Sequence, residues 1–283
     1  MGRLKGAKTV TAVFLGCLLA GCSTLSLTYN FADWIMLWRI DHYFDLSSDQ
    51  RQILEERLTN LHAWHRTQEL PLYADFLRQI QQNLHNGFTR EGIDALFQSY
   101  FQLRADLGRR IASEGTLFLT TVNSEQVQFL QNVMEEENEE LLQEVDGDLN
   151  ERLATRTGAI LDWLENWLGN LTEPQKHHIV RLIQKLPDTS DSWMHYRTHR
   201  QKQFIALLQA EKSPMVLEQK IGDWFANPEK GAPDDYPQAV SRMRTALKSF
   251  VLEIEQIMTL EQREYGIQKL QHLIEEVESL AST

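Results

Sequence analysis

Four short segments of one pattern constrain this chain most: an apolar residue, then Ser, Thr or Asn, two further residues, and Gln. In a capping box of this form the first polar side chain accepts a hydrogen bond from the third helical N–H, and the Gln side chain reaches back to the N–H of the capping residue. Each segment therefore predicts the start of a helix. The capping residues and their glutamines are Ser47 and Gln50, Asn123 and Gln126, Thr172 and Gln175, and Thr259 and Gln262.

The rest of the chain favours helices as well. Apolar residues recur every three or four positions, no window alternates apolar and polar residues as a half-buried strand does, and Pro and Gly number only 7 and 14. The four capping residues lie 76, 49 and 87 positions apart, whereas a solenoid has one fixed period. We therefore expect an all-α fold, an irregular array or bundle of about eight to ten helices and not a regular solenoid. The Asn123 segment could also lie inside a continuing helix, and Pro71 should end or kink a helix near Leu70.

The first 22 residues predict where in the cell the protein is located. A charged start and an apolar run over residues 10–19 are typical of a secretory signal, and the run is too short to span a bilayer. The following Leu19-Ala20-Gly21-Cys22 resembles the lipobox of bacterial lipoproteins. That resemblance implies removal of residues 1–21, a diacylglyceryl group on the Cys22 thiol, an acylated (palmitate-bearing) new amine, and residues 22–30 as a lipidated tether. Ser23 after the cysteine favours the outer membrane with the protein facing the periplasm, and the inner membrane stays open. The alternative is an ordinary signal or an uncleaved anchor that happens to contain a cysteine.

Charge and cysteine content exclude several classes of protein. The formal net charge of −12 becomes −15 when the signal cations Arg3, Lys5 and Lys8 are removed, which argues against a nucleic-acid partner. Cys17 leaves with the signal and Cys22 would be acylated, so no thiol remains for disulfides, nucleophilic catalysis or metal binding. Residues 31–283 suffice for one helical domain, or for two subdomains that meet near residues 169–172.

Four tryptophans are candidate contacts with a partner. Trp34 and Trp38 share a face of a strongly apolar helix predicted over residues 31–40. They could enter the lipid interface beside the acyl chains, or they could dock into the protein core. Trp163 and Trp167 repeat the same spacing on a later helix, and Trp is enriched at binding hot spots.

Histidines supply the remaining candidates. A polar network is predicted from His62, His65, Arg66 and Glu69, either to brace the bend at Pro71 or to line a functional groove. His195 and His199 lie one helical turn apart, but Arg197 and Arg200 beside them oppose a metal ion and the His-Glu-x-x-His pattern is absent. The acidic run over residues 135–148 reads as a solvated helix face, because calcium loops alternate their ligands around a glycine. We expect no metal, no cofactor and no catalytic residue.

Two family resemblances bear on function. The capping segments, best matched by Leu171-Thr172-Glu173-Pro174-Gln175, look like the Leu-Thr-x-x-Gln motif of the Spy/CpxP family of periplasmic stress chaperones. That family consists of small, all-α, cradle-shaped dimers that hold unfolding proteins without ATP; this chain is about twice as long and acidic. The stretches 29–50, 61–66 and 69–71 resemble an uncharacterised family of proteobacterial lipoproteins, which implies a location but no activity.

Together these patterns predict a lipid-anchored periplasmic binding protein with a chaperone-like or envelope-stress-related role. Its partners would be the membrane, through the N-terminal lipid, and other envelope proteins or unfolded clients. The alternative is a scaffold or assembly lipoprotein with one dedicated protein partner. A third interpretation is a metal-dependent enzyme that uses His195 and His199.

Overall fold

The computed structural model describes residues 22–145, 147–210 and 213–282. Within these ranges the chain forms twelve α-helices, one π-helical turn and no strand, which confirms the all-α prediction. The helices are α1 Cys22–Asn30, α2 Ala32–Phe44, α3 Ser48–Trp64, α4 Leu70–Asn86, α5 Arg90–Leu119, α6 Ser124–Val145, α7 Leu149–Leu168, α8 Glu173–Ile183, α9 Ser190–Ala210, α10 Pro214–Ala226, α11 Asp235–Ile257 and α12 Leu260–Ser282; the π turn is His65–Glu69, between α3 and α4. The predicted signal, residues 1–21, lies outside the described residues.

Two features of the N-terminal part of the fold add detail to the predictions. The helices outnumber the expected eight to ten, partly because residues 22–30, expected to be a tether, form the helix α1. The bend at Pro71 takes the form of the π turn immediately before α4. Proline lacks a backbone N–H, so a regular helix would leave a carbonyl without its donor. The Thr67 hydroxyl donates to the Ala63 carbonyl oxygen at 3.0 Å, which satisfies one acceptor within this irregular segment.

The chain divides into two compact units. Unit 1 comprises residues up to Glu69 together with Ala105–Glu144 and Thr198–Pro228, and unit 2 comprises Leu70–Arg104, Val145–Arg197 and Glu229–Thr283. Each unit therefore takes segments from both halves of the sequence. The division does not fall at residues 169–172, where two subdomains were a possible reading, because those residues lie inside unit 2.

Each unit has its own apolar core. The core of unit 1 is built from residues of α2, α3, α5, α6, α9 and α10, with Leu54, Leu130, Leu208 and Leu217 almost fully buried. In unit 2 the core around Ile179 and Ile183 joins α7, α8 and α11, and α4 packs along α12. Within the described part of the chain no helix is both long enough and apolar enough to cross a bilayer.

Candidate functional site

The first two capping segments meet in unit 1. Gln50 and Gln126, which lie in the first turns of α3 and α6, are both buried and face each other. Each side-chain amide donates to the other's oxygen, from Gln50 Nε2 to Gln126 Oε1 at 2.9 Å and from Gln126 Nε2 to Gln50 Oε1 at 2.7 Å. Each oxygen also accepts from the N–H of its own capping residue, Ser47 or Asn123, at 3.2 Å. A motif that reads as a local helix start thus also joins two helix starts that are 76 residues apart.

The second donor of each amide completes this junction. Gln126 Nε2 donates to the carbonyl oxygens of Phe44 and Asp45, at the end of the helix that precedes α3. Gln50 Nε2 correspondingly donates to Thr121, at its carbonyl oxygen (3.2 Å) and its hydroxyl (3.1 Å). A buried amide needs partners for its oxygen and for both N–H groups, and both glutamines have them. Glutamate would satisfy a capping box equally well but would supply neither donor.

Unit 2 contains the same arrangement, made by the other two segments. Gln175 and Gln262 exchange hydrogen bonds of 2.9 and 3.1 Å, and both are buried. Gln175 Nε2 also donates to the Ile257 carbonyl oxygen at 2.8 Å, and Gln262 Nε2 donates to that of Asn170 at 2.9 Å. The capping residues Thr172 and Thr259 complete boxes with these glutamines. All four predicted helix starts are therefore formed, and none lies inside a continuing helix.

A groove lies over the glutamine junction of unit 1. Its volume is about 770 Å³, and its walls come from both capping segments and the following turns of α3 and α6. Leu46, Ile53 and Phe129 give it apolar surface, and the Phe129 side chain is 39% exposed. We name this feature the junction groove; its lining residues are Asp45, Leu46, Ser47, Asp49, Gln50, Ile53, Thr121, Asn123, Glu125, Gln126 and Phe129.

The junction groove favours cationic ligands over anionic ones. The N-termini of α3 and α6 each contribute the equivalent of about +0.5 charge at this place. Against them stand the carboxylates of Asp45, Asp49 and Glu125, and no Lys or Arg lines the groove. Counted as formal charges, the three carboxylates and the two helix N-termini sum to roughly −2. An apolar surface with an acidic rim suits a peptide segment that carries both apolar and basic side chains.

Trp34 and Trp38 do not dock into the core. Their side chains are 64% and 59% exposed, although α2 itself is anchored through the buried Leu37 and Phe44. The interpretation of this helix as docked holds for the opposite face only. α2 is apolar on both faces, and the sequence alone therefore did not indicate which one is buried.

Trp163 and Trp167 differ from each other in exposure. Trp163 is 39% exposed, whereas Trp167 is half-buried and packs against the core of unit 2. Their rings lie 6.4 Å apart, and the Lys269 ammonium sits 5.7 Å from the centre of the Trp167 ring. Burial lowers the pKa of Lys269. Only Trp163 of this pair is exposed enough to contact a partner directly. Trp167 contributes to core packing, so its truncation would also disturb the core.

The predicted network of four polar residues divides into two parts. His62, His65 and Arg66 hold α1: the Tyr29 hydroxyl lies 3.0 Å from His65 Nδ1, and Arg66 donates to Asn30 Oδ1 at 2.8 Å. The His62 ring packs edge-on against the Tyr29 ring, and Arg66 lies over the same ring. We call this contact the α1 clasp. The clasp fixes the N-terminal helix α1 to the rest of unit 1.

Burial controls the protonation of the clasp. It raises the pKa of Tyr29 to about 12 and lowers that of His65 to about 4, with a smaller effect of the neighbouring His62 on His65. The pKa of His62 is also lowered, first by burial and then by the Arg66 charge. Both histidines are therefore neutral near pH 7.

Glu69 stands apart from the clasp at the end of the π turn. Only 2% of the residue is exposed, and its Oε2 atom has no hydrogen-bond partner. Burial raises the pKa of this carboxyl, and the nearby Asp106 raises it further. Burial and a neighbouring negative charge both favour the protonated form.

The histidines considered for a metal site have other neighbours. His195 Nδ1 lies 3.1 Å from Asp235 Oδ1, and His199 Nε2 lies 2.9 Å from the Gln203 amide nitrogen. Across residues 22–145, 147–210 and 213–282 no three His, Cys, Asp or Glu side chains are grouped so as to hold a metal ion. The acidic run predicted as a solvated helix face continues α6 as far as Val145.

Fold and site define an all-α protein with two buried glutamine junctions and an acidic, partly apolar groove over one of them. The chain belongs to DUF6279, a family of unknown function whose model matches residues 42–237. The match includes α3 through the start of α11, and thus three of the four capping segments. No curated protein and no solved structure matches the chain.

Proposed function

We propose that this protein is a lipid-anchored binding protein of the periplasm, attached to the outer membrane, which holds unfolded segments of other envelope proteins in the junction groove. The exposed carboxylates and the apolar side chains that line that groove carry the proposal. Unfolded chains expose apolar side chains that can contact the apolar residues of the groove. Unfolded chains that also carry basic side chains gain electrostatic attraction to the carboxylates. A shallow, open surface of this kind suits weak, non-sequence-specific capture better than tight recognition of one small molecule.

The motif resemblance supports the same role. The Spy/CpxP chaperones carry Leu-Thr-x-x-Gln motifs and hold clients without ATP, and the glutamines of this chain do more than start helices. Each junction fixes two distant helix starts side by side, and the junction of unit 1 thereby positions the groove walls. A binding surface built on such rigid contacts loses little conformational entropy when a client is bound.

The anchor is tested separately from the binding activity. We expect the native protein to have the mass of a chain that begins at Cys22 and carries acyl groups, and to fractionate with outer membranes. Cys22→Ser should abolish both properties. A native chain of unmodified mass that is released by osmotic shock would disprove the anchor while leaving client binding open.

Client binding is tested by suppression of aggregation. The native protein should slow the aggregation of several unrelated denatured proteins, with the strongest effect on basic ones such as reduced lysozyme. The double variant Asp49→Asn with Glu125→Gln should lose much of this effect, because it removes two of the three rim charges. Its matched control is Glu136→Gln with Glu140→Gln, which makes the same charge change at exposed positions of α6. Equal activity of the two double variants would exclude the groove as the client site.

The aggregation assay, together with crosslinking and metal analysis, separates the alternative functions. A scaffold with one dedicated partner would protect none of the test clients and would crosslink to one protein in intact cells. A metal-dependent enzyme would copurify with stoichiometric metal that is lost in His195→Ala.

A further inference from the structure

An apolar surface runs along the N-terminal helices and is exposed among the described residues. Phe31, Trp34, Ile35 and Trp38 follow one another at intervals of three, one and three residues, which places them on one side of α2. Leu27 of α1 lines the same hollow as Phe31, Trp34 and Ile35. Their exposed fractions range from 38% for Ile35 to 64% for Trp34. We call this set the N-terminal stripe. Contiguous exposed aromatic and aliphatic side chains of this extent are uncommon on a free protein surface and indicate an interaction site.

Other side chains of the same helices are held inside unit 1. Leu37 and Phe44 enter the core of unit 1, and the α1 clasp holds Tyr29 and Asn30. The stripe therefore cannot be buried by a simple rotation of α1 or α2, because that would expose Leu37 and Phe44 and break the clasp. What covers the stripe must therefore be something other than the described residues of unit 1.

Chain length limits what can reach it. Cys22 is the first residue of α1, and Leu27 follows five residues later, or about 8 Å along a helix. Trp38 lies sixteen residues after Cys22, which is at most about 24 Å at 1.5 Å per residue. Because the clasp fixes α1 to unit 1, acyl chains on Cys22 would hold the whole stripe within about 24 Å of the lipid attachment point.

The composition of the stripe matches the bilayer boundary. Trp is enriched at the level of the lipid headgroups, where its ring is partly apolar and its N–H reaches polar groups. The stripe itself contains no Lys or Arg, and Asp33 lies beside it in the same hollow. Attraction to anionic lipids therefore cannot drive the contact, and apolar burial must.

We infer that the N-terminal stripe inserts into the lipid headgroup–acyl boundary next to the anchor and so fixes the orientation of unit 1 on the membrane. This inference rests on the acylation of Cys22 in the proposed function. With the stripe inserted, the anchor holds the unit in one orientation, whereas acyl chains on a free tether would let it tumble.

Quenching by brominated lipid tests the inference on the native acylated protein. The protein is reconstituted into vesicles of phosphatidylcholine, either ordinary or brominated on the acyl chains, and its tryptophan emission is compared. Trp34 and Trp38 are two of seven tryptophans, so bromine should remove roughly a quarter of the emission. The loss should persist at high salt and need no anionic lipid, since the contact is apolar.

Two matched variants assign the signal. Trp34→Phe with Trp38→Phe should show little quenching, whereas Trp163→Phe with Trp167→Phe should retain all of it. Flotation of the vesicles and the mass of the protein report the acyl anchor independently. Protein that floats with its acyl groups but shows no quenching overturns the inference and leaves the anchor intact. A protein that dimerises through the stripe in detergent and is not quenched in vesicles identifies a second copy as the occupant, and unacylated protein overturns both proposals.

Discussion

The two units contain the same glutamine junction in different surroundings. In both, each Gln donates to its partner Gln and to a carbonyl five residues before that partner, at Asp45 and Thr121 in unit 1 and at Asn170 and Ile257 in unit 2. The spacing between the paired glutamines nevertheless differs, at 76 and 87 residues. Geometry this uniform at two separate places indicates that the junction is a structural element in its own right.

What differs between the units is what surrounds the junction. In unit 1 the residue five positions before Gln126 is Thr121, whose hydroxyl accepts an additional hydrogen bond from Gln50. The corresponding residue in unit 2 is Ile257, which packs against the core instead. The junction groove and the α1 clasp also belong to unit 1. The comparison therefore separates a shared structural junction from the features of unit 1 that carry the functional proposals.

The largest expected effect tests whether the two junctions are equivalent. Gln50→Glu and Gln175→Glu each keep the shape of the side chain but remove both N–H donors and introduce a buried charge. Each should lower the free energy of unfolding by about 3 kcal/mol or more at pH 7. Chemical denaturation followed by circular dichroism measures the loss, and Gln128→Glu, an exposed change on α6, is the matched control.

Acid should partly restore these two variants. A buried carboxyl that faces an amide oxygen has a raised pKa, so its penalty grows as pH rises and falls as pH drops. The protonated form also recovers one donor. Equal losses at pH 7 and pH 4, or a loss in one unit alone, would contradict the equivalence of the junctions.

Local patterns made the helix starts predictable, whereas the junctions depend on distant partners. A capping box joins residues three positions apart, so all four starts follow from the sequence. The pairing of Gln50 with Gln126 does not, because local capping already accounts for each Gln. One signal in the sequence could have indicated the junctions. All four capping boxes carry Gln and none carries Glu, although either residue completes a box.

The N-terminal helices show a second limit of sequence reasoning. Ile35, Met36 and Leu37 are consecutive, and periodicity therefore cannot choose which face of α2 is buried. The segment 22–30 has a weak helical pattern, and the residues that clasp it lie 36 positions further along the chain. Exposure of the N-terminal stripe and order in α1 are both results of tertiary packing.

The next effect tests how closely helices pack in unit 1. A Cβ atom on Gly108 of α5 would collide with the Phe225 side chain of α10, whereas a Cβ on Gly115 of the same helix would meet nothing. Gly108→Ala should therefore cost about 1–3 kcal/mol, and Gly115→Ala should gain up to about 1 kcal/mol from helix propensity.

A close approach of helices in unit 2, at Gly266 of α12, gives a second test of helix packing. A Cβ on Gly266 would lie 2.9 Å from the end of the flexible Leu84 side chain, which can move aside, but also 3.2 Å from the Trp167 carbonyl oxygen. Gly266→Ala should therefore cost less than Gly108→Ala. Thermal unfolding of the three variants ranks them, and a stabilising Gly108→Ala would show that α10 does not pack this closely on α5.

The α1 clasp should make unit 1 sensitive to acid. The pKa of His65 in the folded protein, about 4, lies below its ordinary value of 6.5. Above pH 6.5 the histidine is neutral in both states; as pH falls towards 4 the unfolded chain takes up the proton first, so stability is lost. Hydrogen exchange should therefore accelerate in α1 between pH 6.5 and 4, and His65→Gln should flatten this dependence. An unchanged profile in the variant would assign the titration to another group.

The smallest effect isolates a hydrogen bond that the junction of unit 1 makes and the junction of unit 2 does not. Thr121→Val keeps the side-chain shape and removes the hydroxyl that accepts from Gln50 Nε2. Because the Thr121 carbonyl oxygen still accepts from the same nitrogen, the amide stays satisfied and the loss should be below about 1 kcal/mol. In a double-mutant cycle with Gln50→Glu the two losses should not add, since the first change already removes the donor. Full additivity would mean that Thr121 stabilises unit 1 through its other bond, to the Phe118 carbonyl oxygen, and that the two junctions are energetically alike.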